Sequence, residues 1–317
     1  MGAKSNELKI IRIYDAPVKM VWEAWTDDKK VAKWWGPRGF SITTHAKDLR
    51  VGGFWKYTMH GPDGTNWENR TIYHEVEKYS RLVYDHGGNE DRPPLFRVTV
   101  NFKEVNGKTH MDMTMAFDTP ENAKQSKKFI KDAGGNGTWD RLAEFLEKEE
   151  SGQEKFVINR TFEAPLDMVF DAWSQPEKFA KWLGPKGMSM EFIRAEVKPG
   201  GSSFYKMSNG SDLTMYGTIR YKEVTRPSKI VYTQQFSDEN ENVSRHPMMP
   251  TWPETMLTTV LFNAEGPKET RVTVTWEIQG PATAAELAAF VKERGGMTQG
   301  WSGSFDKLDE LFAKLNG

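Results

Sequence analysis

Histidines are the first residues in this chain whose type suits metal binding or proton transfer. Five of the six lie in the first half of the sequence: His45, His60, His74, His86 and His110. No two of them have the H-x-x-x-H or H-x-H spacing that would place both rings on one metal ion. His60 and His110 also fall on the polar faces of predicted strands. We therefore expect no metal ion, and a surface or turn role for most of these side chains.

His86 differs from the others because it shares a predicted strand face with Leu82 and Tyr84. A histidine on an inward face is able to donate a hydrogen bond to a ligand oxygen, although a hydrogen-bonded histidine within a filled core fits the same pattern. The equivalent position in the second half of the chain is Gln234, another polar side chain capable of such a bond.

Motifs for nucleophilic or phosphate chemistry are not evident. The segment "GWSGS", residues 300–304, lacks the Gly-x-Ser-x-Gly spacing, and "GGMTQG", residues 295–300, lacks the lysine of a phosphate loop. The chain has no cysteine, which removes disulfides, thiolate zinc sites and cysteine nucleophiles together. No catalytic constellation is recognisable from the sequence, and we expect no cofactor.

Charge and composition narrow the class of partner. The net charge is −1, with 43 basic and 44 acidic residues, so no nucleic-acid partner is expected. The amino terminus has no apolar leader, and no run approaches the length of a membrane span, which favours a cytoplasmic protein. The chain is instead rich in large soft side chains, with 12 Trp, 18 Phe, 9 Tyr and 15 Met, which suit a wide core or cavity.

An internal repeat divides the chain. Residues 12–41 align without gaps to residues 160–189, with 15 of the 30 positions identical, and both copies contain a K-W-W/L-G-P-R/K-G corner. The only good linker is polar, residues 147–155, so we predict domain 1 at residues 1–150 and domain 2 at residues 151–317. Domain 2 carries an additional stretch of about a dozen residues near "FSDENENVSRHPMMPTWPE", which predicts a long hairpin loop.

Periodicity predicts the elements of each copy. A strand is followed by two short helices, with Val21, Trp22 and Trp25 on one apolar stripe, and then by about six strands that alternate with period two. Each copy ends in a helix whose predicted buried stripes are Trp139, Leu142 and Phe145, and Phe305, Leu308 and Leu311. We predict an α+β fold: two tandem helix-grip domains, each a curved antiparallel sheet of about six to seven strands wrapped on a long C-terminal helix, with two short helices.

Four motifs carry a family resemblance: "APVKMVWEAWTDDKKVAKWWGP", "LRVGGFWKYTMHGPDG", "EVEKYSRLVY" and "GTWDRLAEFL". They resemble the family homologous to the activator of heat-shock protein 90 ATPase, within the START-like helix-grip superfamily. The resemblance covers each copy almost end to end. It implies binding of lipids or other hydrophobic ligands, cyclase-type chemistry in some branches, and chaperone activation in the eukaryotic namesake. Domain 2 departs from the pattern at Leu183 and Ser203, where domain 1 has Trp35 and Trp55.

The candidate ligand-binding residues are those on inward strand phases, together with one residue of the corner. In domain 1 they are Trp35, Trp55, Tyr57, Met59, Tyr84, His86, Phe96 and Met113; in domain 2 they are Tyr205, Met207, Tyr232, Gln234, Met256 and Trp276. We expect them to face a space between the sheet and the long helix, which such large side chains are also able to fill. Leu183 and Ser203 are smaller than Trp35 and Trp55, the residues at the equivalent positions of domain 1. The interior of domain 2 should therefore have more space near its corner, unless Phe204, Met188 or the insertion around Trp252 fills that space.

Three functions stay open from the sequence. The first is non-catalytic binding of an apolar small molecule in a helix-grip cavity. The second is an interaction protein that associates with a chaperone, and the third is a cyclase-like or hydrolase-like enzyme that uses the same cavity. In each case we expect a monomer with two similar domains and no membrane span.

Overall fold

The computed structural model describes residues 5–132 and 137–316. The chain divides into two compact units, Met1–Gly152 and Gln153–Gly317, which we call domain 1 and domain 2. Gly134 and Gly135, a glycine pair of the kind that interrupts a helix and that we expect to break the final helical segment of domain 1, lie outside the described residues.

Domain 1 is a seven-stranded antiparallel sheet with the strand order β1-β7-β6-β5-β4-β3-β2. Its elements are β1 (Glu7–Tyr14), α1 (Val18–Thr26), α2 (Asp28–Val31), β2 (Ser41–Lys47), β3 (Phe54–His60), β4 (Asn66–Glu77), β5 (Arg81–His86), β6 (Phe96–Val105), β7 (Lys108–Ala116), α3 (Pro120–Asp132) and α4 (Gly137–Ser151). The first strand, β1, pairs with the last strand, β7, whereas β2 lies at the opposite edge of the sheet. The two short helices α1 and α2 therefore connect one edge strand, β1, to the other, β2.

Domain 2 repeats this topology, with the order β8-β14-β13-β12-β11-β10-β9. Its elements are β8 (Lys155–Phe162), α5 (Leu166–Ser174), α6 (Pro176–Trp182), β9 (Ser189–Ala195), β10 (Ser202–Ser208), β11 (Thr214–Thr225), β12 (Lys229–Ser237), β13 (Thr255–Gly266), β14 (Glu269–Ile278), α7 (Ala284–Lys292) and α8 (Arg294–Asn316). The predicted α+β class and the tandem helix-grip architecture are confirmed.

Local sequence explains where the short helices begin. Pro17 precedes α1, where its fixed φ suits a helix start, and the buried face of α1 contains the predicted Val21, Trp22 and Trp25. The carboxylate of Asp27 then accepts hydrogen bonds from the backbone N–H groups of Lys29 and Lys30, both at 2.9 Å, which begins α2. Two short helices therefore lead directly into the corner.

The long helix of each domain packs its apolar stripe on the sheet. Trp139, Leu142 and Phe145 are buried as predicted, and so are Phe305 and Leu308. Leu311 is only half-buried, and the neighbouring Phe312 is the buried residue of that turn. The helical break of domain 2 falls at Glu293, just before the Gly295-Gly296 pair, which lies in the first turn of α8. Within the described residues, no helix is long and apolar enough to cross a membrane.

Candidate functional site

The doubled corner is anchored in the same way in both domains. The indole N–H of Trp34 donates to the carbonyl of Ala24 at 3.0 Å, and that of Trp182 donates to the carbonyl of Ala172 at 2.8 Å. Both rings are fully buried. The chain turns at Gly36, whose φ of 94° is a conformation that glycine adopts without a steric penalty. The tryptophan that both copies retain is therefore a packing and hydrogen-bonding anchor.

The second tryptophan of domain 1 closes the interior. The indole N–H of Trp35 donates to the hydroxyl of Tyr57 at 3.2 Å, and the Tyr57 ring stacks on Trp55 with ring centroids 4.1 Å apart. Burial raises the pKa of the Tyr57 hydroxyl. The remaining space beside this cluster is about 10 Å³, room for at most one water molecule. Domain 1 thus satisfies the Tyr57 hydroxyl with its own side chain, and the space beside the cluster is no larger than a water molecule.

His86 extends this cluster toward the rim of the sheet. Its ring stacks on Phe96 at a centroid distance of 4.9 Å and lies 6.1 Å from Trp35. None of the described residues hydrogen-bonds the ring, and burial lowers the pKa of His86 to about 4. His86 is therefore a neutral packed imidazole, half-buried at the end of the core.

This environment makes the stability of domain 1 depend on pH. In the unfolded chain His86 titrates near its ordinary value of about 6.5, so the folded state holds fewer protons between that value and about 4. The contribution of the neutral His86 ring to the free energy of unfolding is complete above pH ~6.5, and it decreases as the pH falls toward 4. Because the ring is partly exposed, we expect a loss of about 2 kcal/mol rather than the full linkage value.

The measurement is urea unfolding of the full chain between pH 7.5 and pH 4.5, followed by tryptophan fluorescence. His86→Gln is the matched variant, since domain 2 already carries Gln234 at the equivalent position. The part of the pH dependence that belongs to domain 1 should shrink in this variant. An identical pH dependence in wild type and His86→Gln would contradict the assignment.

Domain 2 replaces the tryptophan pair by a different set of rings. Leu183 and Ser203 stand at the positions of Trp35 and Trp55, and the space is taken by Phe179 and Phe192, whose rings stack at 5.9 Å. The equivalent residues of domain 1 are the smaller Val31 and Thr44, so this compensation was readable from the gapless alignment.

The expected compensation by Phe204 is wrong. In β10 the inner face belongs to Ser203 and Tyr205, so Phe204 lies on the opposite face, where it stacks on Tyr216 at 5.8 Å. The insertion around Trp252, by contrast, does border the interior, because Trp252 is 6% exposed.

Tyr205 adopts a different position from its counterpart Tyr57. Its cross-strand neighbour is Gly217, where domain 1 has Asn69 opposite Tyr57. A Cβ atom at Gly217 would lie 2.4 Å from the Tyr205 hydroxyl, so the ring occupies the space that this glycine leaves. None of the described residues hydrogen-bonds that hydroxyl, and burial raises the pKa of Tyr205 to about 12. The hydroxyl therefore stays protonated and available as a donor.

A cavity of about 30 Å³ lies beside Tyr205. Its lining is Tyr205, Gln234, Gln235, Phe236, Trp252, Pro253, Glu254 and Met256. The amide of Gln234 is half-buried and has no hydrogen-bond partner in the described part of the chain. Contrary to expectation, the lining contains no residue of α8: the cavity lies between three strands and the insertion. The cavity of domain 2 is thus lined by apolar side chains, among them Phe236, Trp252 and Met256, together with the polar groups of Tyr205 and Gln234.

The other candidate residues face the interior as predicted, without joining these spaces into one site. Met113, Tyr232 and Met256 are nearly fully buried, whereas Met59, Met207 and Trp276 are half-buried. Tyr84 lines the small space of domain 1. In the described residues, 5–132 and 137–316, no group of three or more metal-ligating side chains is placed to hold a metal ion.

A residue that the sequence analysis missed holds the corner of domain 1. Arg141 of α4 donates from one guanidinium nitrogen to the carbonyls of Gly36, Pro37 and Phe40, at 2.9, 2.9 and 3.0 Å. Burial, with Arg38 nearby, lowers the pKa of this guanidinium, which nevertheless remains charged at neutral pH. The equivalent Lys307 of domain 2 makes one longer contact, 3.4 Å, to the carbonyl of Met188. No clear signal for this role is present in the sequence, because Arg141 lies among other charged residues of α4, Asp140 and Glu144 included.

Solved structures similar to this chain match one domain or both. A protein from Nitrosomonas europaea is 24% identical with a TM-score of 0.43, and the match covers 47% of this chain and 99% of that one. A protein from Arthrobacter aurescens is 25% identical with a TM-score of 0.42, covering 45% of this chain and 87% of that one. The di-domain ARO/CYC protein BexL of the BE-7585A biosynthetic pathway is 15% identical with a TM-score of 0.38, covering 96% of this chain and 97% of that one.

No curated protein matches the chain. The family model described as Activator of Hsp90 ATPase homolog 1-like protein matches it twice, over residues 15–147 and residues 163–313. One match falls in each domain, and together they cover most of the chain. The chain therefore belongs to the Activator of Hsp90 ATPase homolog 1-like family, of which it contains two tandem copies.

Proposed function

We propose that this protein binds a small, largely apolar molecule without chemical conversion, and that domain 2 is the binding domain. The observation that carries the proposal is a pair of polar groups without a partner in the described part of the chain, the Tyr205 hydroxyl and the Gln234 amide, on the wall of a cavity that also exposes Phe236, Trp252 and Met256. Ligand sites are typically apolar spaces with a few such orienting groups. Both residues are half-buried and neither group has a hydrogen-bond partner among the described residues, so both are available to an occupant of the cavity.

Domain 1 supports the same proposal by contrast. Its equivalent tyrosine is already satisfied, because Trp35 donates to the Tyr57 hydroxyl, and its Trp55 ring covers the tyrosine face. The equivalent of Gln234 is His86, whose ring packs on Phe96. We infer that domain 1 has lost or never had a cavity and that it serves as the structural companion of domain 2.

The test is a titration of the full chain with N-phenyl-1-naphthylamine, a neutral apolar dye whose fluorescence rises in apolar surroundings. We expect saturable binding of one dye per chain. Gln234→Trp places a large ring in the cavity of domain 2 and should weaken binding by about tenfold, which corresponds to ~1.4 kcal/mol. His86→Trp is the matched control at the equivalent position of domain 1 and should leave the affinity unchanged.

Circular dichroism of each variant checks that the fold is intact. Equal weakening by both substitutions would place the dye outside domain 2, and an absence of saturable binding by the wild-type chain would remove the proposal.

A second candidate function is association with a chaperone. It is favoured by the outward face of α7, an alanine-rich helix on which Leu287 and Val291 are 42% and 36% exposed. Exposed apolar side chains on one helix face are typical of a protein-binding surface. Stimulation of the ATPase of a purified Hsp90-class chaperone by the full chain is the measurement that tests this candidate if the dye does not bind.

A further inference from the structure

The insertion of domain 2, residues 238–254, is an ordered segment that covers the cavity. It joins β12 to β13, where domain 1 has the shorter link of residues 87–95. The carboxylate of Asp238 accepts the backbone N–H of Asn242 at 2.9 Å, and the backbone N–H of Ser244 donates to the carbonyl of Phe236 at 2.9 Å. These bonds fold the segment back along the end of β12.

The insertion places one large ring in the mouth of the cavity. Trp252 lines the cavity together with Met256 and Tyr205, and only 6% of its surface is exposed. Its ring lies 6.2 Å from Phe290 of α7 and 6.5 Å from His246 of the insertion. The indole of Trp252, which comes from a surface loop, thus lies between the cavity and Phe290 of α7.

An ion pair connects this cover to α7. One nitrogen of Arg245 donates to Glu286 at 2.7 Å and to the carbonyl of Trp252 at 3.2 Å. Glu286 also caps α7 together with Thr283, and those hydrogen bonds with Arg245 lower the pKa of its carboxyl. The Arg245 side chain is half-exposed and that of Glu286 is 12% exposed, so the pair is partly screened by solvent and contributes modestly to holding the cover. We call Arg245 and Glu286 the latch.

We propose that the domain 2 site binds a planar aromatic molecule that carries a hydrogen-bonding group. In the absence of this ligand the indole of Trp252 occupies its place, and the ligand displaces that indole from the mouth of the cavity. The inference rests on the proposed function and names the class of ligand and the step that admits it. The indole itself shows that a flat aromatic ring fits among Met256, Phe290 and Tyr205. The free Tyr205 hydroxyl and Gln234 amide then bond the polar group of the ligand.

This arrangement links ligand affinity to the stability of the cover. A ligand that binds only after Trp252 leaves has its apparent affinity reduced by the fraction of molecules in which the cover is open. Weakening the latch raises that fraction without altering any group on the cavity wall, so it must tighten binding. A ring that is merely structural gives no such coupling.

The test uses 1-naphthol as the planar probe and cyclohexanol as its non-planar control, both with the full chain. Arg245→Met and Glu286→Gln weaken the latch, and glutamine at position 286 keeps the cap of α7. We expect either variant to bind 1-naphthol about threefold to tenfold more tightly than wild type, with cyclohexanol binding much more weakly throughout. Lys206→Met removes a surface ion pair with Glu191 on the outer face of β10 and should change nothing.

Hydrogen exchange reports the displacement directly. The backbone N–H of Trp252 donates to the carbonyl of Met249 at 2.9 Å, and that of Met249 donates to the carbonyl of His246 at 3.2 Å. Saturating 1-naphthol should accelerate exchange at both amides in the wild-type chain.

The two proposals fail separately. Binding of N-phenyl-1-naphthylamine in domain 2, combined with unchanged 1-naphthol affinity in the latch variants and unchanged exchange at residues 249 and 252, would overturn the displacement of Trp252 and leave the proposed function standing. If neither probe binds the wild-type chain or the latch variants, the proposed function is overturned and this inference with it.

Discussion

Leu142→Asp will remove a large part or all of the stability of domain 1 at neutral pH and leave domain 2 folded. Leu142 is fully buried on the face of α4 that packs on the sheet. The substitution removes a leucine from the core and places an unpaired carboxylate there, which we expect to cost about 5 kcal/mol. Since a domain of this size is stable by ~5–15 kcal/mol, one such change removes between a third of that stability and all of it.

The measurement is urea unfolding of the full chain, followed by tryptophan fluorescence and circular dichroism. Leu308→Asp is the equivalent change in α8 and should destabilise domain 2 instead. Leu142→Met preserves the apolar volume and should cost less than ~1.5 kcal/mol. A loss below ~1 kcal/mol for Leu142→Asp would mean that the long helix is not held by the sheet.

The long helix and the strand faces were predictable because burial imposes a period on the sequence. Each strand of a one-sided sheet turns every second side chain inward, so Tyr57, Tyr84 and Met113 could be placed on the inner face from the sequence alone. The gapless repeat then carried the same assignments to Tyr205 and Tyr232. Such patterns indicate which face of the sheet a side chain points to, and the structure confirms those side-chain directions.

Whether inward side chains leave a space depends on packing, which has no period. Tyr57 and Tyr205 occupy equivalent positions, yet one hydroxyl is satisfied by Trp35 and the other lies over Gly217 without a partner. That difference requires the cross-strand register, which pairs Tyr205 with Gly217. The role of Trp252 was similarly hidden, because an irregular insertion gives no pattern from which its contacts follow.

The corner illustrates the same limit for polar groups. Its glycines and proline are typical of a sharp turn, and a tryptophan that both copies retain, Trp34 in domain 1, is typical of a packing residue beneath such a turn. The turn directs several carbonyl oxygens to one point, however, and the residue that meets them, Arg141, lies about a hundred positions away in the sequence. Buried backbone carbonyls need hydrogen-bond donors, and in this fold the donor comes from a distant part of the chain. The sequence does not show which side chain supplies it.

Arg141→Met should therefore be among the most destabilising substitutions in domain 1 that leave the apolar core intact. Methionine retains much of the aliphatic stem but none of the donors, so the carbonyls of Gly36, Pro37 and Phe40 lose their shared partner. Each carbonyl left unsatisfied costs ~1–3 kcal/mol, partly recovered by water that enters the corner, and we expect a total loss of about 4 kcal/mol. Urea unfolding of the full chain measures it.

The two domains supply the control for this substitution, because the same corner is held differently in each. Lys307→Met removes one contact of 3.4 Å, and the backbone N–H of Gly184 keeps its separate bond to the Ser304 hydroxyl at 3.2 Å, so the loss in domain 2 should be no more than ~1 kcal/mol. Arg141→Lys should fall between the two, since one ammonium group does not reproduce the planar set of donors. Equal losses for Arg141→Met and Lys307→Met would show that the corner is held by the packing of Trp34 and Trp182 alone, and that the carbonyls around Arg141 are satisfied by water once the guanidinium is gone.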